Sequence, residues 1–552
     1  MEKSRAPPIA NDKLDDSEAD IVDESAKGIS SLIFVQVITK LFTFILNQAL
    51  IRFVSPDVFG LIVYLEFLQS SVLFISRESV RLAVQRIAHD QTKTRTLQKV
   101  MNFGFIPFLI AIPVTLLVGY YQGIKSVNFQ DFFLILPFNK IAIGVLFLLT
   151  ILELSIEPIY CVYQYELEFG KRSKFEGIAL IAKCTTTFVA IYFARQRFTG
   201  LEYSGISILS FMFGQLAYSA TLFLSYFGSF LKFNETKDTH IRYGVFSIEG
   251  EPRFDPAVLS ISKSLFIQLI FKQVLTEGDK LLISYLCTIE EQGVYAVIVN
   301  YGSIIARILF QPLEESSRLL LAKIVNSTEP PKGETMAQSF TYIKMISLFY
   351  FNLCLFIIFA GITNGSFLLR VMLGSSNKWS QSNIFDLFTL YVFYIPFLAF
   401  NGIFEAFFTV IVQPHEIQKY SKFMTFITAV VLAALYISVS VMELRLAGLI
   451  LANILNMAMR IGYCYRSINK YYGTRISLLT CLRYTSGSIA CTIASWIVQY
   501  IFVFRLDSFV TKTWSELFKS AIFSVILLAN LVILERQNIQ NSIKRIFKIK
   551  DE

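Results

Sequence analysis

The sequence predicts an all-α, polytopic membrane protein of about 14 transmembrane helices, with two parallel-related six-helix lobes around a central cavity plus two C-terminal helices. Three observations predict it. The 552 residues are 54% hydrophobic and only 16% charged, with a mean hydropathy of +0.55, which is too apolar for a soluble core of this length. Apolar windows of the roughly 20 residues that span a bilayer recur along the whole chain. Short strings in the first half of the chain also recur in the second.

The elements follow in order. Residues 1–28 are polar, acidic in their second half and lack the basic flank and short apolar core of a signal peptide, so a disordered cytosolic tail is expected. Helices one to six fall at 29–50, 58–79, 101–121, 132–161, 174–194 and 204–228. They form an N-lobe over 29–228. The longest polar connection, 229–258, reads as a cytosolic linker. Helices seven to twelve fall at 260–287, 293–313, 339–362, 384–412, 419–441 and 446–465, giving a C-lobe over 259–466. Two extra helices, 484–504 and 516–534, lie within 467–534, and 535–552 is a basic cytosolic tail.

Arg81, Arg86, Lys93, Arg95 and Lys99 after the second helix, and Arg466, Lys470, Arg475 and Arg483 after the twelfth, mark the cytosolic side and place both termini there. Of three glycosylation sequons, at Asn234, Asn326 and Asn364, only Asn364 falls on the opposite side, where it could be glycosylated.

The repeat rests on two pairs of strings. Glu157 and Glu405 are each followed sixteen residues later by "SKF". "FG" at 59–60 precedes "ESVRL" at 78–82, and "QG" at 292–293 precedes "ESSRL" at 315–319. Six helices return the chain to its starting side, so the two blocks are expected to be related by an axis along the membrane normal.

The candidate functional residues are the charges inside the spans. The seventh helix holds Lys272, Glu277, Asp279 and Lys280. At about 2.5–3.5 kcal/mol per charge at the bilayer centre, four left uncompensated would cost about 10–14 kcal/mol, so this helix is expected to line a water-filled cavity. Glu277 and Lys280 are spaced to pair, and Gly278 is expected to permit a local break. Lys40, Arg52, Arg77, Arg81, Arg307 and Arg318 add cations for an anionic substrate. Glu153, Glu157, Glu314, Glu315 and Glu405 join Glu277 and Asp279 as acids that line or gate the cavity. Pro107, Pro113, Pro158, Pro312 and Pro396 mark expected kinks. The cysteines form no Cys-x-x-Cys pair and the three histidines lie in polar connections, so neither a metal nor a histidine proton relay is expected. With no phosphate-binding loop and no nucleophile motif, no cofactor is expected and the chain reads as a transporter rather than an enzyme. The net charge of +9 reflects cytosolic loops, not nucleic-acid binding.

"LTEGDKLLISYL", "EEQGVYAVIVNYGSIIARILFQPLEESSR" and "FYIPFLAFNGIFEAFF" carry a resemblance. With them the chain resembles the eukaryotic Rft family, flippases of dolichol-linked oligosaccharide in the endoplasmic reticulum. The resemblance implies a fold like the multidrug, oligosaccharidyl-lipid and polysaccharide exporters. It also implies a substrate, Man5GlcNAc2-PP-dolichol, moved from the cytosolic to the lumenal leaflet for protein N-glycosylation. Under that reading Lys40, Lys272, Lys280 and Arg307 bind the pyrophosphate, while Arg52, Arg77, Arg81 and Arg318 stand nearer the two mouths. Its partners are the glycolipid, the bilayer and the N-glycosylation machinery, and a monomer is expected. Two other readings stay open: a non-transporting accessory factor of the same pathway, and an ion-coupled exporter of small molecules.

Overall fold

The computed structural model describes residue 42 and residues 44–547 apart from 89–91, 126–128, 167, 237–239, 248–251, 326–331, 375–376 and 474–477. Among the described residues every regular element is a helix. Eleven helical stretches are long and apolar enough to cross a membrane. The expected count of fourteen is therefore not reached among them. The window at 29–50 lies mostly outside the described residues, of which Phe44–Phe53 is a short apolar helix. The windows at 260–287 and 484–504 are helical as far as the ends of α7 (Pro256–Leu286) and α14 (Leu478–Phe502).

The chain divides into two compact units. Unit 1 comprises the described residues up to Val54, with Gln69–Ile124 and Phe132–Leu269. It holds the second half of α1 (Pro56–Val84), α2 (Lys93–Phe103), α3 (Ile106–Lys125), α4 (Asn139–Tyr165), α5 (Phe169–Arg197), α6 (Gly200–Thr236) and the start of α7. The third span begins earlier than its apolar window. The Thr92 side chain accepts from the Arg95 amide and caps α2, satisfying an amide that the first turn leaves open. Gly104 then ends α2, and its backbone packs against Pro158, where α4 loses an amide donor. The core here is apolar: Val80, Leu97, Val100, Phe103, Ile159 and Cys161 are fully buried.

The polar connection after α6 is docked on unit 1. Gln98 and Asn102, one turn apart on α2, act as side-chain substitutes for a neighbouring strand. Gln98 donates to the Arg242 and Gly244 carbonyls and accepts from the Arg242 amide. Asn102 donates to the Phe246 and Arg253 carbonyls and accepts from the Phe246 amide. Tyr243 adds a bond from its hydroxyl to the Ser155 carbonyl, 2.8 Å away.

Unit 2 comprises the described residues within Ser55–Leu68, Lys125–Asp131 and Ile270–Glu552. Its helices, beyond the first half of α1, the rest of α7 and α14, are α8 (Ile289–Ile305), α9 (Gln311–Val325), α10 (Lys332–Leu373), α11 (Ile384–Ile411), α12 (Pro414–Tyr436), α13 (Arg445–Tyr472) and α15 (Trp514–Phe547). A capping box of Thr288 and Glu291 starts α8. Between α8 and α9 the ladder widens to a π-turn over Ala306–Phe310, with the Gln311 amide bonding to the Ala306 carbonyl. Pro312 follows directly; lacking an N–H, it cannot continue the ordinary ladder. At the start of α1 and α8, Gly60 and Gly293 face each other so closely that a Cβ on either would lie 1.9 Å from a carbonyl oxygen of the other helix.

Two expectations need correction. α7 is continuous through Gly278, because one glycine costs a helix only about 1 kcal/mol and its neighbours hold the ladder. Asn364 does not stand in an open loop. α10 runs on to Leu373 and buries this side chain at 6% exposure, where it accepts from the Thr511 hydroxyl and donates to that of Thr363. The Asn326 sequon lies outside the described residues.

Candidate functional site

In unit 1 the charges of α1 and α4 meet. Arg77 and Arg81 lie one turn apart on α1, Glu153 and Glu157 one turn apart on α4, so four side chains interleave across one helix pair. Arg77 Nη1 bonds to Glu153 Oε2 and Glu157 Oε1, both at 3.3 Å. Arg81 grips Glu157 with two donors, Nε at 2.8 Å to Oε2 and Nη2 to Oε1, and its guanidinium lies 3.9 Å from the centre of the Tyr160 ring. Gln69 Nε2 and Ser219 Oγ each donate to Glu153 Oε1 at 3.2 Å. Glu157 is 1% exposed and Glu153 7%, yet both carboxylates are filled with donors. That completeness makes burial tolerable. Gln69, Ser219 and Tyr160 were absent from the sequence-based set. Gln69 stands two turns before Arg77 on the same face of α1 and Tyr160 one turn after Glu157 on α4, whereas Ser219 lies on α6, where the sequence gives no signal of the contact.

In unit 2 the charges of α9, α11 and α13 form a looser arrangement. Glu405 on α11 accepts from Arg460 Nη2 on α13 at 2.6 Å and from the Asn401 amide at 3.4 Å. Glu314 on α9 sets its carboxylate against Gly402, where a Cβ would lie 2.4 Å from Glu314 Oε2. A methyl group there would push the carboxylate aside. Glu315 and Arg318 on the same helix are exposed. Arg307, exposed within the π-turn, donates to the Asn300 main-chain carbonyl at 2.9 Å and to the Asn300 side-chain oxygen at 3.0 Å rather than to a carboxylate. Lys280 Nζ lies 2.5 Å from Glu277 Oε2, the pairing expected from their spacing, and 5.9 Å from the Phe67 ring centre.

Arg52 is exposed at the end of the Phe44–Phe53 helix. Lys40 lies outside the described residues, as do the side chains of Lys272 and Asp279 on α7. Among the described residues no group of three or more His, Cys, Asp and Glu is placed to hold a metal ion.

A family model described as Rft protein matches residues 24–545. The chain is 44% identical over 556 residues to the Candida albicans Man(5)GlcNAc(2)-PP-dolichol translocation protein RFT1, covering 98% of each. It is 36% identical over 581 residues to the Saccharomyces cerevisiae protein of the same name, covering 97% of this chain and 98% of that one. Among solved structures, the inward closed conformation of the lipid II flippase MurJ matches with a TM-score of 0.56 and 15% identity, over 91% of this chain and 99% of that one. At that identity the likeness shows the fold.

Proposed function

Because the chain belongs to the Rft protein family, we propose that it translocates Man5GlcNAc2-PP-dolichol from the cytosolic to the lumenal leaflet of the endoplasmic reticulum. One observation carries this reading: a relative aligned over 98% of both chains at 44% identity is named for that translocation. The protein works as a multi-pass membrane protein with both termini in the cytosol, acts as a monomer and feeds the N-glycosylation machinery without catalysing a reaction itself.

The chemistry of the substrate fits the charges. A pyrophosphate and its glycan cannot cross hydrocarbon unaided, because each desolvated charge costs several kcal/mol. Arg307 supports the reading best. Its side chain is exposed within a membrane-spanning stretch and rests on amide and peptide oxygens, so a phosphate oxygen gains a donor without first breaking an ion pair. Lys40, Lys272, Lys280, Arg52 and Arg318 supply further positive charge along the route. Arg77 and Arg81 are engaged by Glu153 and Glu157, so an anion reaching them competes with two carboxylates. Their role is to fix unit 1 and to bias the field that the headgroup meets. Glu277, Asp279, Glu314, Glu315 and Glu405 hold sugar hydroxyls or latch one access state.

Purified full-length protein in unilamellar vesicles tests the proposal with the glycolipid made accessible to a probe on one face only. Wild-type vesicles should exchange it between leaflets faster than empty vesicles. Equal rates in the two would favour the accessory role in the same pathway.

A further inference from the structure

The two units share a sequence register but differ in what it brings together. "ESVRL" at 78–82 aligns with "ESSRL" at 315–319, so Glu314 stands where unit 1 has Arg77. Glu157 aligns with Glu405, so Asn401 stands where unit 1 has Glu153. In unit 1 the register yields a closed set of ion pairs. In unit 2 it puts Glu314 against Gly402, within electrostatic reach of Glu405, and the only ion pair between described residues of this cluster, Glu405 with Arg460, comes from a third helix.

The Glu314 carboxylate, half-buried against Gly402, forms no hydrogen bond or ion pair with another described residue. The charged groups that face it are Glu315 and Arg318 on its own helix, Glu405 on α11 and Arg460 on α13. The phenols of Tyr350 on α10 and Tyr420 on α12 complete the surroundings, the first beside Glu314 and the second beside Glu405. One further observation points to something missing. Asn401, 8% exposed, donates to Glu405 but leaves its own oxygen without a partner. Buried polar atoms are ordinarily satisfied.

We propose that Glu314 and Glu405 form a proton-binding pair in unit 2. A proton from water adds to Glu314, converting an acceptor-only carboxylate into a donor whose O–H can satisfy the Asn401 oxygen or the Glu405 carboxylate. No bond within the protein breaks. Glu405 already has a cation in Arg460, whereas Glu314 has no ion pair with a described residue, so the proton adds to Glu314. Binding of the proton stands without the transport reading; its use to couple translocation to a proton gradient rests on it.

The experiment is an infrared difference spectrum of the full-length protein in lipid vesicles between mildly alkaline and mildly acidic buffer. Wild-type protein should show a protonated-carboxyl stretch of a buried acid, lost in Glu314→Gln and kept in Glu443→Gln, which alters an exposed loop acid. Gly402→Ala, whose added methyl displaces the Glu314 carboxylate, should shift the band and its titration midpoint. A wild-type spectrum without the band, or a band that survives Glu314→Gln unchanged, overturns the proposal. Should Glu314→Gln fail to fold, the Gly402→Ala spectrum decides alone, an unshifted band counting against the pair. In the translocation assay an imposed proton gradient should change the wild-type rate severalfold. Wild-type vesicles that move no glycolipid would sink the transport reading and leave the infrared result standing.

Discussion

Gly60 and Gly293 meet backbone to backbone, and the contact reads the same from either helix. A Cβ on Gly60 would lie 1.9 Å from the Ile289 carbonyl oxygen and 2.7 Å from the Gly293 nitrogen. One on Gly293 would lie 1.9 Å from the Pro56 oxygen and 2.8 Å from the Gly60 nitrogen. Each glycine thus sits against the peptide four residues before the other, and no side chain can yield because only backbone is in the way. Gly60→Ala or Gly293→Ala should therefore destabilise the protein by about 1–3 kcal/mol or more. Thermal unfolding of the purified protein checks this, with Gly144→Ala, which meets nothing within 4 Å, as the tolerated control.

The Arg81–Glu157 pair should behave as a unit. Glu157 is 1% exposed and takes donors from both arginines, so removing Arg81 alone leaves a buried carboxylate short of two hydrogen bonds. Arg81→Met should cost about 3–5 kcal/mol, and Glu157→Leu a similar amount, because each strands a charge. The combined variant should cost less than the sum of the two. A double-mutant cycle on unfolding midpoints measures the difference, and simple additivity would mean that the pair contributes nothing beyond its parts.

Much of the fold was legible because apolar length is the strongest signal a membrane chain carries. Eleven of the windows reappear as spans, and the one-turn spacing of Glu277 with Lys280 foretold their contact. What escaped depends on which helices touch. Nothing in the string "TRTLQKVMNF" distinguishes Gln98 and Asn102 from the solvated face of an amphipathic helix, yet they carry the connection after α6. Asn364 reads as an acceptor sequon just beyond the window at 339–362; it is buried because α10 continues past it and Thr511 returns to cover it. Charge identity was visible, whereas partner identity was not: Arg460 rather than an α9 residue holds Glu405.

The docked connection should come loose when one amide is removed. Asn102 is fully buried and serves the Phe246 amide and the Phe246 and Arg253 carbonyls. Asn102→Ala leaves these backbone groups without partners, at about 1–3 kcal/mol for each that stays buried. The cost should appear locally. Backbone amides from 240 to 247 should exchange with deuterium faster in the variant, while those of α10 and α11 keep wild-type rates. Asn102→Asp should fall on the same side, since a carboxylate still accepts from the Phe246 amide but cannot donate to the two carbonyls. Unchanged exchange in both variants would mean that packing of Ile241 and Tyr243, not the amide, holds the segment.

Arg307 is where stability and transport should separate. Its side chain is exposed and bonds only to Asn300 among the described residues, so Arg307→Ala removes little packing and should leave the unfolding midpoint nearly unchanged. If the guanidinium meets the pyrophosphate, losing one charge-assisted contact worth about 1.5–3 kcal/mol should slow translocation by about tenfold or more. Arg307→Lys should recover part of that rate: the charge stays, but the planar pair of donors that fits two phosphate oxygens is gone. Arg307→Glu should be the slowest of the three, because it sets an anion in the path of an anion. Vesicle assays of all three variants, alongside their unfolding curves, give the ordering. A lysine variant no faster than the alanine one would show that the residue acts through its bond to Asn300 and not through its charge.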